Sequence, residues 1–213
     1  MASEVDLYNM ALSRVGISQT IGEPNERTEP ARICRRWFDH CRDECLRNFP
    51  WSMARKAKQL ALLDQEFPGY AYVYQYPSDC LFALAVIPEE GLRYPVNWLD
   101  IWQERINQQA PKIAFERALR ADGNSQVILT DLSEAWLLYI ARVTTTSVWD
   151  VDFVNMLAWR LAMEVGPPLK ADARLVRNAM DMYEAMRGRA TANDFNEGYP
   201  DAEPDAPSVA ARG

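Results

Sequence analysis

YAYVYQYPSDCLFALAVI, Tyr70–Ile87, decides the fold class of this chain. Tyr70, Tyr72, Tyr74 and Tyr76 alternate with Ala71, Val73 and Gln75, and that alternation reads as a strand. Pro77-Ser78-Asp79 is a turn. Cys80–Ile87 is a short apolar run bounded by turn signals and reads as a buried strand. Downstream, Lys112–Leu119, Ser125–Leu129 and Glu134–Val143 read as three more strands, with Asp122-Gly123-Asn124 as the hairpin turn between the first two. Upstream, Met53–Leu62 suits a helix by propensity but has no clear apolar face. Residues 51–146 are therefore expected to form one small antiparallel sheet.

On either side the period changes to that of a helix. Ser3 with Asp6 forms a capping box, and Leu7, Tyr8, Ala11, Leu12 and Val15 follow on one face, with Gly16 at the C′ position. A polar loop, Ile17–Arg27, leads to Thr28 or Glu29, where Pro30 fits the first turn of a second helix. Cys34, Trp37, Phe38, Cys41 and Cys45 make its apolar stripe, and Asn48-Phe49-Pro50 ends it. Beyond the sheet, Ser147 and Asp150 form a second capping signature, with Phe153, Leu157, Ala158, Leu161 and Val165 as the face. Gly166-Pro167-Pro168 stops that helix. A last helix is expected from about Leu169 to Gly188, with Val176, Ala179, Met180, Tyr183 and Met186 on one side. The fold class is α+β and mainly α: a four-helix-type bundle from residues 1–50 and 147–190, with the β module inserted at 51–146.

Residues 191–213 read differently. Pro200, Pro204 and Pro207 disfavour helix, and Asp194, Glu197, Asp201, Glu203 and Asp205 outweigh Arg212. No apolar period runs through the segment. It reads as an extended arm whose aromatic residues, Phe195 and Tyr199, serve as anchors for another protein. The candidate partner-binding residues are Phe195, Tyr199, Asp194, Glu197, Asp201 and Arg212.

Composition narrows the function. Lys plus Arg total 23 and Asp plus Glu 30, a net charge of −7, which argues against a dedicated nucleic-acid binder. The opening MASEVDLYNM has acidic residues where a signal peptide is basic, and the longest apolar runs are too short to span a bilayer. Synthesis in a reducing cytoplasm is expected, with the four cysteines as free thiols.

Chemical motifs are weak. Cys34, Cys41 and Cys45 with His40 resemble a metal set, but His40 projects about 100° away from Cys41 on a helix and no Cys-x-x-Cys knuckle exists. Apolar packing is the reading adopted, with no metal and no cofactor. The single histidine, the missing nucleophile elbow and the missing glycine-rich phosphate loops argue against an enzyme. Asp150 and Asp152 suit the first turn of a helix. Arg32, Arg35, Arg36, Arg42 and Arg47 with Arg55, Lys56 and Lys58 form the one basic region. A helix-turn-helix would need a turn of 3–4 residues where this chain has about 12. The region is instead a solvated face, or an interface for acidic groups of a neighbouring subunit or of the arm itself.

Several stretches taken in order carry a family likeness. They are DLYNMALSRVGI (Asp6–Ile17), ARICRRWFDHCRDECLRNFPWSMARKAKQLALL (Ala31–Leu63), YVYQYPSDCL (Tyr72–Leu81) and YIARVTTTSVWDVDFVNMLAWRLA (Tyr139–Ala162), followed by a late helix and an acidic tail. In this order the chain resembles the tail tubular protein A-like head–tail connectors of tailed bacteriophages. The resemblance implies a virion structural adaptor, made in the bacterial host cytoplasm and placed at the head–tail junction. It implies a ring of about twelve copies that docks beneath the portal protein, extends the channel for genomic DNA and meets a downstream tail or nozzle protein. It implies DNA passage without sequence-specific binding, no membrane and no catalytic residues. It also implies a C-terminal extension that clasps the portal. The alternative is a small DNA-binding protein of the packaging or regulatory type.

Overall fold

The computed structural model describes residues 2–109, 111–120 and 122–198. The fold is α+β. Its helices are α1 (Glu4–Arg14), α2 (Glu29–Arg47), α3 (Trp98–Ile106), α4 (Val151–Val165) and α5 (Ala173–Gly198). Its strands are β1 (Arg55–Gln59), β2 (Tyr72–Gln75), β3 (Cys80–Ile87), β4 (Phe115–Leu119), β5 (Gln126–Thr130) and β6 (Trp136–Ala141).

The expected single sheet is in fact two, both antiparallel and three-stranded, ordered β1-β6-β3 and β2-β5-β4. The Tyr70–Ile87 stretch is split between them: β2 pairs with β5 and β3 with β6. The reason lies in β6, which is apolar on both faces. Leu138 and Ile140 join Leu84 in the core shared with the helices, while Leu137, Tyr139 and Ala141 pack with Tyr74, Phe115 and Ile128 of the other sheet. One sheet cannot cover both sides of such a strand, so the helices take one face and the second sheet takes the other. The outer face of the second sheet, with Val73, Val127 and Leu129, is covered by Leu63, Phe67 and Tyr70.

Two further expectations are corrected here. Residues 53–62 are not helical: a short 3-10 turn at Ser52–Ala54 runs into β1, which pairs from Arg55↔Ile140 to Gln59↔Trp136. Helix propensity yields to the open hydrogen-bonding edge of β6. The fourth helix starts at Val151 with Asp150 as N-cap, after a 3-10 turn at Thr146–Val148.

The helical layer follows the pattern closely. The Ser3–Asp6 capping box forms, and Gly16 adopts φ 75°, the left-handed conformation a C′ glycine supplies without strain. Helices α1, α2 and α5 each pack on α4. Phe153, Leu157, Ala158, Leu161 and Val165 of α4 are fully buried, as a central helix requires. At Gly166 an added Cβ would lie 2.7 Å from Val176 Cγ2 and 3.3 Å from Val15 Cγ1, so a side chain there would push apart the junction of three helices. Trp51 is the buried corner between layers: its indole N–H donates to Cys45 O at 2.9 Å, and its ring meets Phe49 and Phe153 edge-on. No helix among the described residues is long and apolar enough to cross a membrane.

Candidate interaction surface

The C-terminal part of α5 departs most from the sequence reading. Thr191–Gly198 is helical, not extended, because α5 continues past Gly188 to Gly198. Ala179, Tyr183, Ala190 and Asp194 are its buried residues, spaced so that they fall on one face. Asp194 is only 5% exposed. It accepts hydrogen bonds from the Ser52 backbone N–H at 2.9 Å and the Ser52 hydroxyl at 2.7 Å, and pairs with Arg55 Nη2 at 3.3 Å. Arg55 is held in turn through its Nε, which donates to Pro50 O at 2.7 Å. Asp194, expected on an extended arm, is therefore an internal strut that clamps α5 to the start of β1. The idea that the basic region meets the chain's own acidic segment is realised at this pair.

Phe195 faces another way. With Phe49, Leu99, Trp102, Gly188 and Thr191 it lines a groove of about 520 Å³ between α3 and α5. Phe49 and Trp102 meet edge-on, 5.8 Å between centroids. Glu197 is exposed near Asp150 and Asp152 at the start of α4. Asp152 is bound by Asn193 at 2.5 Å and lies 3.7 Å from Arg189. Burial first, then the charges of Asp194 and Asp152, push the Asp150 carboxyl above its ordinary range. Tyr199, Asp201 and Arg212 lie outside the described residues.

The cysteines and the basic region resolve by burial. Cys34, Cys41 and Cys45 are buried, and burial raises Cys34 and Cys41 to about 12 and Cys45 still further. Thiols so protonated are poor nucleophiles and poor ligands. His40 is exposed, against the Trp37 ring edge and 3.9 Å from Glu44. Arg42 is buried between Asp39 and Asp43, Arg47 donates to Leu81 O at 2.6 Å, and Lys56 donates to Asp79 at 2.6 Å. Much of the basic region is thus spent on internal contacts, while Arg32, Arg36 and Lys58 stay exposed.

Sequence reasoning missed α3 and with it Trp102 and Arg105. A signal existed: Asn97 caps α3 by accepting from the Asp100 N–H at 3.3 Å, and Trp98, Leu99, Ile101 and Trp102 recur at helical spacing. The chain matches no family model, and no curated protein matches it.

Proposed function

We propose that this protein is a structural adaptor of a phage virion that docks as a ring beneath the portal, extends the DNA channel and joins head to tail. One observation carries the reading: the stretches that resemble head–tail connectors are the framework of this fold. They are α1 with its cap, α2 through β1, the β2–β3 turn, and β6 through α4. On this reading α1, α2, α4 and α5 act as the helical bundle, the two sheets as the inserted β module, and the chain from Tyr199 onward as the portal-binding arm. Phe195, near the end of α5, lines a groove with Phe49 and Trp102, and that groove offers an aromatic base for portal attachment. Neighbouring copies, the portal and a tail or nozzle protein are the partners, and weak contacts sum around the ring.

A non-catalytic role is supported by the state of the reactive groups: three buried, protonated cysteines and an exposed His40 that faces Trp37 and Glu44. The DNA-binding alternative is disfavoured because Arg42, Arg47, Arg55 and Lys56 are committed to contacts within the chain.

Co-sedimentation with a purified portal ring tests the proposal. The full chain is expected to sediment with the ring, and a chain ending at Gly198 to be lost from it while keeping its helical content. Absence of sedimentation by the full chain, together with tight duplex binding at low salt, would overturn the adaptor reading in favour of the DNA-binding one. Full affinity in the shortened chain would move the interface to the helical body.

A further inference from the structure

Arg105 at the end of α3 and Arg117 in β4 line one groove of about 490 Å³ along the outer edge of the second sheet. The Arg105 guanidinium lies over the Phe115 ring, 4.9 Å from its centroid. Its Nε is buried and has no hydrogen-bond partner among the described residues. Burial, and then the positive charge of Arg117, lower its pKa. Among the described residues neither arginine is ion-paired to a carboxylate. Glu116 also lines the groove, but its carboxylate is engaged with Tyr70 on the far face of the sheet. Glu104 and Asp100 line a separate apolar pocket on the other side of Arg105. Arg117 donates to the Tyr76 hydroxyl, and burial raises both Tyr76 and the neighbouring Cys80, so that neither supplies a negative charge.

Among the described residues, no backbone pairs with the outer side of the strand beside these arginines. β4 is an edge strand. The Arg120 N–H donates to Ser125 O at 2.8 Å, and by antiparallel alternation Ala118 and Glu116 also point their N–H and C=O toward β5. The N–H and C=O of Phe115, Arg117 and Leu119 therefore point outward. The Leu119 side chain is 60% exposed on the same side as Arg117.

We propose that this edge binds an extended acidic segment of a partner protein. The segment adds as a fourth strand beside β4 and sets a carboxylate between Arg105 and Arg117. Main-chain bonds to Phe115, Arg117 and Leu119 supply affinity, and the arginines supply selection. An apolar strand would bury the Arg105 guanidinium without a counter-charge and leave Arg117 with only the Tyr76 hydroxyl, whereas an acidic one supplies a carboxylate to both. Side chains on a strand share a face at every second residue, so the segment carries Asp or Glu opposite Arg117 and an apolar residue two positions away, opposite Leu119. The chain's own acidic run is a poor occupant, since Pro200 and Pro204 bracket Asp201–Glu203 and remove donors from the ladder.

The test is an NMR titration of the ¹⁵N-labelled full chain with the peptide acetyl-Ser-Thr-Glu-Thr-Val-Thr-amide. Its controls are the same peptide with Gln for Glu, and inorganic phosphate. Saturable shifts are expected at the amides of Phe115, Arg117 and Leu119 and at the Nε–H of Arg105 and Arg117. Affinity is expected to fall about tenfold with the Gln peptide, and again in Arg117→Gln, whose exposed side chain leaves the fold intact. Arg105→Gln is expected to have the larger effect. No saturable shift up to about 5 mM peptide, or equal binding of both peptides, would overturn the proposal. Saturation of the arginine signals by phosphate with no response to peptide would also overturn it, leaving a free-anion site.

Discussion

The two sheets share one plan, three antiparallel strands, yet live under different constraints. The first, β1-β6-β3, lies between the helical layer and its sister sheet, and its central strand is buried on both faces. The second, β2-β5-β4, packs on the first with one face, carries a loop on the other and ends in the open edge of β4. Where both faces are covered, every side chain is a packing decision and change is costly. Where an edge is open, side chains are free to carry recognition.

The largest test of this contrast is Leu138→Ala. Leu138 is 1% exposed and faces the helices. Its truncation is expected to cost about 3 kcal/mol in urea unfolding, from lost burial and the cavity left behind. A cost under about 1 kcal/mol would mean that the helix–sheet seam is loosely packed.

Next comes the strut that ties α5 to the first sheet. Asp194→Ala would leave the Ser52 N–H without its acceptor and Arg55, whose side chain is 17% exposed, without its counter-charge. A loss of about 2 kcal/mol is expected by thermal or chemical denaturation. Deleting residues 191–213 should be at least as damaging, whereas deleting 199–213 should leave the melting of the body nearly unchanged. Equal melting of the two truncations would remove Asp194 from the account.

A smaller effect is expected at the seam of the sheets. Burial alone would raise the Asp79 carboxyl, but hydrogen bonds from Lys56 and Tyr139 and the Lys56 charge outweigh it and hold it below its ordinary value of 3.8. The sign follows by linkage. A carboxyl depressed in the folded state adds stability above its unfolded pKa, and that stability is lost as pH falls through the folded value. Asp79→Asn should therefore be less stable than the wild type near neutrality. The gap should close on acidification below about pH 4 in a pH series of melting curves. A gap that widens in acid would contradict the pairing.

The smallest change is expected at the open edge. Leu119→Thr removes exposed apolar surface and should alter stability by no more than about 0.5 kcal/mol. A loss as large as that at Leu138 would mean that the β4 edge is structurally closed.

Legibility in the sequence followed how local the signal was. The Ser3–Asp6 cap, the Cys34–Cys45 stripe of α2, the face of α4 and the span of β3 all lie within a few residues of their partners, and they formed as expected. Residues 53–62 went to a strand because of β6, some eighty residues downstream by pairing of Arg55 with Ile140. The last turns of α5 were hidden for the same reason. Asp194 reads as one acid in an acidic tail until Ser52 and Arg55 are brought to it. Of the proposed partner residues, Glu197 is exposed, Phe195 lines the groove with Phe49 and Trp102, and Asp194 is buried. The Arg105–Arg117 groove joins a helix and a strand that have no pattern in common, and nothing in the linear order predicts it.

The sequence by itself determined the class of the fold, the Ser3–Asp6 cap, most strand positions and the apolar character of the cysteines. Those depend on periodicity and on backbone groups satisfied within one turn or one hairpin. Only the tertiary structure decided that the strands form two sheets, that α5 runs to Gly198 and that a carboxylate from it belongs to the interior. Those outcomes depend on which distant surfaces must be covered and which buried donors must find an acceptor, and neither is written in any local stretch of residues.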